Sequence, residues 1–348
     1  MSAHAADARS GVFAWDVLAR AWRRNRPLTA LVVGMVALLA VSMAGLAVDP
    51  RVITGAPAWM KPAKFAISIA IYGATLVWLL HFITDRPRLV AVISWIALVG
   101  LVTEMALIVV QVVRGTTSHF NVATPFDAAV FQLMAAVIVA MWLLNAFVAI
   151  LLFRRRFAAP AIVWGVRLGL ISALIGMALA FLMPRPTPAQ EALMEATGSS
   201  PIAGAHSVGV DDGGPGLPVV GWSTTGGDLR VAHFVGLHGL QVLPFIGWAL
   251  ARFAPAWLRA RDRALLAGVA GLSWIALMLI LVWQALRAQP VIAPDAQTLT
   301  ALGALMVAAL APASAIVLQA NLRSDGELKG MAASGDAGAA PSPVTASK

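Results

Sequence analysis

A glutamate and a histidine set inside long apolar runs are the residues whose chemistry is hardest to explain by packing alone. Glu104 stands in LVTEMALIVVQVVRG and His238 in AHFVGLHGLQVLPFIG. A charged side chain at mid-bilayer costs ~2.5–3.5 kcal/mol on insertion scales, so it persists mainly where it faces a bundle interior or a wet cavity. Glu104 lies nine residues before the end of its apolar run, ~13 Å along a helix, and His238 lies eight residues into its own, ~12 Å. Gln132, ~9 Å into a third run, stands near the same level. Gln111 follows Glu104 at i+7, and Gln241 follows His238 at i+3. A carboxylate and an imidazole at one depth suit acid–base chemistry with Glu104 and His238 as catalytic groups, or ligation of a metal ion. Further candidate metal ligands are His233, His119 and His206, with Gln111, Gln132, Gln241, Asp211 and Asp212 in support. His233 and His238 are five apart, ~140° on a regular helix, so they do not share one metal as an i, i+4 pair would.

Four cations stand at helix ends near this level: Lys61, Lys64, Arg114 and Arg230. They suit an anionic group such as a lipid phosphate or a haem propionate, with Lys64, Arg114 and Arg230 as the cofactor-binding set. Snorkelling to headgroups is the plainer account of them. A metal ion or a haem is therefore the cofactor class this pattern suggests.

The elements that must position these residues are membrane spans. The 348 residues are 60% hydrophobic and 12% charged, with mean hydropathy +0.83, too apolar for a soluble fold. Runs long enough to cross ~30 Å of hydrocarbon at ~1.5 Å per residue fall near 28–48, 64–84, 88–113, 126–153, 160–184, 230–253, 263–286 and 298–320. The predicted fold is all-α, a polytopic bundle of about eight transmembrane helices forming one domain over 28–321. It is preceded by a basic flank at 1–27, interrupted by a loop at 185–229 and followed by a disordered tail at 322–348. In the flank, Trp15, Leu18 and Trp22 recur at helical spacing beside arginines, as in a helix lying on a membrane surface. Residues 124–127, Thr-Pro-Phe-Asp, read as a capped helix start in which Asp127 is structural.

The basic residues set the orientation. With the N-terminus inside, 17 of the 25 Lys and Arg fall on inner segments, seven on outer segments, and Arg167 within a helix. Positive flanks are retained in the cytoplasm, which places both termini there, in a bacterial inner membrane, and the Glu104 level toward the outer face. The net charge of +9 is spread over these short clusters rather than one soluble face, which speaks against a nucleic-acid partner and for membrane lipid. The absence of cysteine removes disulfides, thiolate nucleophiles and Cys-ligated metals.

The 185–229 loop carries GAHSVGVDDGGPGLPVVGWSTTGGDLR. A segment of this length without apolar period is either functional or disordered, and its His206 beside Asp211 and Asp212 suits a lid over the Glu104 level. An internal repeat is also visible. IVVQVVRG at 108–115 matches LVWQALRA at 281–288, and AKF at 63–65 matches AHF at 232–234. The offsets, 173 and 169, place the second and third spans on the sixth and seventh, which predicts two four-helix halves in the same orientation.

The segments WMKPAKF, QVVRGTTSHFN, HSVGVDDGGPGLPVVGWST and GDLRVAHFVGLHGLQ resemble a group of bacterial multi-pass membrane proteins to which no activity is attached. In architecture alone the chain is similar to haem A synthase, an eight-helix protein of two four-helix halves whose histidines bind haem. The fourth and eighth spans lack His, and Lys64 stands where a repeat-related His is wanted, so no haem ligand carries over. Three functions remain open: a metal or haem site for redox or hydrolytic chemistry, a proton-coupled transporter with Glu104 and His238 titrating and Arg167 balancing charge, and a non-catalytic scaffold. For the transporter, Pro244 with Gly236, Gly239 and Gly247 marks the best candidate for a broken helix.

Overall fold

The computed structural model describes residues 15–337, with side-chain surroundings to 327. His4 and the last residues of the tail lie outside the described residues. Residues 15–24 are helical, with Trp15 and Trp22 exposed. Eight long apolar helices follow: α1 (Arg26–Val48), α2 (Met60–Leu80), α3 (Pro87–Val113), α4 (Pro125–Phe153), α5 (Pro160–Leu179, extended by a 3-10 turn at Ala180–Leu182), α7 (Leu229–Phe253), α8 (Ala260–Leu286) and α9 (Ala296–Ala337). The short α6 (Pro188–Thr197) lies in the segment between α5 and α7. The chain is an integral, multi-pass, all-α membrane protein.

Prolines open the helices. Pro27, Pro87, Pro125, Pro160 and Pro188 stand in first turns, where the missing N–H costs no helical bond. Asn25 accepts from Leu28 N, and Thr124 from Asp127 N. Asp228 accepts from Arg230 N. The sequence did not suggest α6, although Thr187, Pro188 and Gln190 form a reciprocal capping box at its start.

Lipid is as apolar as leucine, so close packing rather than water exclusion must join the spans. One core runs through α1–α4, around Leu28, Leu76, Ile93, Ile108, Met134 and Leu152, and takes in Val166, Leu170 and Ala173 of α5 with Leu240 of α7. α5 and α7 form the tightest pair. A Cβ added at Gly236 would lie 2.5 Å from Gly176 Cα, and one at Gly165 would lie 2.4 Å from the Leu243 carbonyl oxygen. Gly236, Gly239 and Gly247 are thus packing positions, and α7 continues unbroken through Pro244, which corrects the expected broken helix. His233 joins the same contact, its Nδ1 2.7 Å from the Gly176 carbonyl oxygen.

Two hairpins, α3–α4 and α8–α9, are clasped alike at both ends. At one end Arg114 pairs with Asp127, and Arg287 with Asp295. At the other, Arg155 pairs with Asp85 at 2.5 Å, and Arg323 with Asp262 at 2.5 Å. The matched pairs extend the sequence repeat to both ends of each hairpin. α9 packs on α8, and its ion pairs continue to Glu327, which meets Arg259. The helix therefore runs beyond Leu322 to Ala337, where the sequence suggested a disordered tail. The ion pairs of Arg323 and Glu327 with α8 and its start, together with good helix formers such as Leu328 and Ala332, outweigh the scattered glycines.

The segment between α5 and α7 is an ordered lid. Val122 N bonds Pro201 O, Ala203 N bonds Phe120 O, and Ala205 N bonds Met183 O. β3 (Ser207–Val208) pairs antiparallel with β4 (Gly227–Asp228). Beneath it Phe120, Met183, Leu229, Met278 and Val282 make a second apolar cluster.

Candidate functional site

Glu104 is 1% exposed on α3, and neither carboxyl oxygen has a hydrogen-bond partner among the described residues. Its nearest charged or chargeable partner is His119, whose Nε2 lies 3.8 Å from Glu104 Oε1. His119 comes from the α3–α4 connection, which folds back over the helix ends. Asn121 holds that fold, its Nδ2 bonding Thr116 Oγ1 at 2.9 Å and Thr117 O at 3.1 Å. Phe120, next in the chain, is buried with φ +62. A bulky residue in the left-handed region is strained by its Cβ. The Phe120 carbonyl accepts from Ala203 N of the lid at 2.8 Å.

The other side of the imidazole faces α2. Lys61 Nζ is 3.0 Å from His119 Nδ1, and Ser118 Oγ is 3.2 Å from the same nitrogen. Lys61 can only donate, so Nδ1 accepts and the ring proton belongs on Nε2, pointing at Glu104. Burial, with the positive charges of Lys61 and His206, pushes the His119 imidazole well below its ordinary range, so it is neutral near pH 7. The result is a line of three titratable groups from three segments: Lys61, His119, Glu104.

A second pair lies above in the lid. His206 Nδ1 is 2.6 Å from Asp212 Oδ2, and the same carboxylate accepts from the backbone N–H of His206 and Ser207. Burial lowers the His206 imidazole, against the opposing pull of Asp212. Burial works to raise the Asp212 carboxyl, but the bonds from His206 and Ser207 outweigh it and hold it below the usual range. His206 packs edge-on to Phe120 at 4.9 Å between ring centroids, which links the lid to the His119 loop.

The structure separates several residues that the sequence placed together. His238 is exposed on α7, and the imidazole beside Glu104 is that of His119. On a helix facing a gap, equal depth along the axis says nothing about azimuth, and azimuth decided this case. Gln132 is exposed on α4. Gln111 bonds Asp127 and Arg114 rather than Glu104, and Gln241 bonds Thr75 rather than His238. Asp211 is exposed beside the His206–Asp212 pair. Arg114 is taken up by Asp127, Lys64 Nζ meets Val220 O at 3.1 Å, and Arg230 meets Asp228 and Gly221 O. Arg167 bonds the Phe153 carbonyl at the other end of the bundle. Lys61 was expected to receive an anionic group or to snorkel to headgroups, and its place in the line with His119 and Glu104 was not foreseen.

Among the described residues no group of three His, Asp or Glu side chains could hold a metal ion. His238, His233, His119, His206 and Glu104 do not converge as the expected ligand set. His233 is spent on Gly176, and His206 on Asp212.

Fold and site together define a multi-pass helical membrane protein with a Glu–His–Lys line that ends at a buried carboxyl under an ordered lid. Comparison with protein-family models, curated proteins and solved structures found no match. The resemblances drawn from the sequence thus reach no further than the multi-pass architecture.

Proposed function

We propose that the protein is a proton-coupled carrier whose proton site is Glu104 with His119 and Lys61. The observation that carries this reading is the Glu104 carboxyl, buried with no hydrogen-bond donor on either oxygen among the described residues. A buried carboxylate that serves only packing would have found donors. One that must alternate between charged and neutral forms cannot be locked by them. The proton path is short. Lys61 passes a proton from its ammonium to His119 Nδ1 while Nε2 releases its own to Glu104 Oε1. The carboxylate and ammonium are then both neutral, and Lys61 regains a proton from the lid side. The 3.8 Å separation closes to hydrogen-bond length during that step.

The Lys and Arg distribution supports placing the lid on the extracytoplasmic side of a bacterial inner membrane with both termini in the cytoplasm. In that frame the site loads from outside. The pattern also favours a carrier over metal or haem chemistry, because the expected ligands are dispersed, and over a scaffold, which needs no unpartnered carboxylate.

The test is direct. Infrared difference spectra of the purified protein across a pH titration should show one buried carboxyl C=O band that disappears in Glu104→Gln. Proteoliposomes carrying a pH gradient should discharge it when an amino-acid, organic-anion or organic-cation mixture is added, and the E104Q protein should not. A wild-type protein lacking that band, or one purifying with an equimolar metal or a Soret absorbance, overturns the reading.

A further inference from the structure

A second feature stands apart from the proton site. α2 and α7, the two helices that the repeat places in equivalent positions, scarcely approach one another along their lengths. One side-chain bond crosses between them, Gln241 Nε2 to Thr75 Oγ1 at 3.1 Å. Above it, the turn at 217–222 roofs the gap. Lys64 of α2 donates to Val220 O at 3.1 Å, and Arg230 of α7 donates to the adjacent Gly221 O at 2.6 Å. Lys64 and Thr75 are eleven residues apart, so the opening between roof and floor is ~16 Å tall.

Its walls are mixed. Ser68 and Ile71 on α2 and His238 on α7 are exposed, and Leu237 is half-buried. Faces turned only toward acyl chains would hold no imidazole and no glutamine. The charge at the roof is one-sided. Asp228 neutralises Arg230, whereas Lys64 has a carbonyl as its hydrogen-bond partner. The roof is also strained, because Val219, a β-branched residue, sits at φ +66.

We infer that this gap is a side entrance for an anionic phospholipid, with the phosphate taken by Lys64 and an acyl chain along Ile71 and Leu237. A phosphate oxygen replaces the Val220 carbonyl, while Arg230 stays paired with Asp228. The bond from Lys64 to phosphate is charge-assisted and stronger than that to a carbonyl, and the turn is freed from its strained state. Ser68, one turn below Lys64, reaches the glycerol ester.

The absence of cysteine allows a clean test in the full-length protein. His238→Cys, carrying an environment-sensitive fluorophore, is placed in phosphatidylcholine nanodiscs, with Val307→Cys on the exposed face of α9 as the bulk-lipid reference. Brominated phosphatidylglycerol is then titrated in. Quenching at position 238 should saturate at a phosphatidylglycerol fraction at least threefold below that at 307. Lys64→Gln should abolish the difference and Lys64→Arg restore it. Brominated phosphatidylcholine should show no preference. Equal quenching at the two positions, equal preference for the zwitterionic lipid, or selectivity that survives K64Q in a protein of unchanged elution and melting each overturns the inference.

Discussion

The α3–α4 and α8–α9 hairpins carry matching clasps and different chemistry. Each hairpin, α3–α4 and α8–α9, ends in a Gln followed three residues later by an Arg that pairs with an Asp across the turn. Yet at the repeat offset of 173 the partner of Glu104 is Leu277, and no histidine lies in the α8–α9 connection to match His119. The cations at the lid end persist in part. Lys61 corresponds to Arg230 and Lys64 to His233 at the offset of 169. The ion pairs set where helices end and how hairpins close. Among the described residues the buried carboxylate without a hydrogen-bond partner belongs to the α3–α4 hairpin. The clasps also differ in shelter: Asp127 is buried and receives Arg114, Gln111 and Thr124, whereas Asp295 is about a third exposed.

The sharpest break of this comparison is Glu104→Gln, which should remove proton exchange entirely while leaving melting and elution unchanged. Leu277→Gln in the other half should leave exchange intact. Next in size is the α5–α7 contact, where Gly236→Leu should leave little folded protein, as read by detergent-resistant elution. A Cβ alone already falls 2.5 Å from Gly176 Cα, far inside the contact distance of two carbons. The clasps should then separate. Asp127→Asn should cost about 2 kcal/mol through lost bonds to a charged group, and Asp295→Asn no more than about 1 kcal/mol because that pair is solvated. Thermal midpoints of the two variants in one detergent check the order.

The smallest effect is that of pH on the lid. His119 and His206 are lowered in the folded protein, so the unfolded chain takes up protons first. Their contribution is complete above about pH 6.5 and declines as the pH falls toward the folded values. Asp212 is also lowered, so its contribution holds above about pH 4 and is lost as the pH falls through its folded value. Both point the same way. Hydrogen exchange of 199–228, corrected for intrinsic rates, should quicken moderately as the pH drops from about 7 to 5 and should not quicken on alkalinisation to about 8.

The spans, the Pro125 helix start with its structural Asp127 and the repeat of Gln111 with Gln284 were all legible in the chain, because each depends on composition or on neighbours a few residues away. An apolar run of twenty residues has only one way to satisfy its backbone in lipid. The buried expense of Glu104 was legible for the same reason. Its partner was not. His238 was expected by type and level and His119 only by type, and the choice between them rests on how α7 is rotated and on a connection folded back through Asn121 and Phe120. Those are set by contacts between residues far apart in sequence, such as Ala203 with Phe120 and Gly176 with Gly236. Residue type and spacing determined which groups lie at the lid end of the bundle. Only tertiary packing, which fixes azimuth and loop path, decided which of them meet.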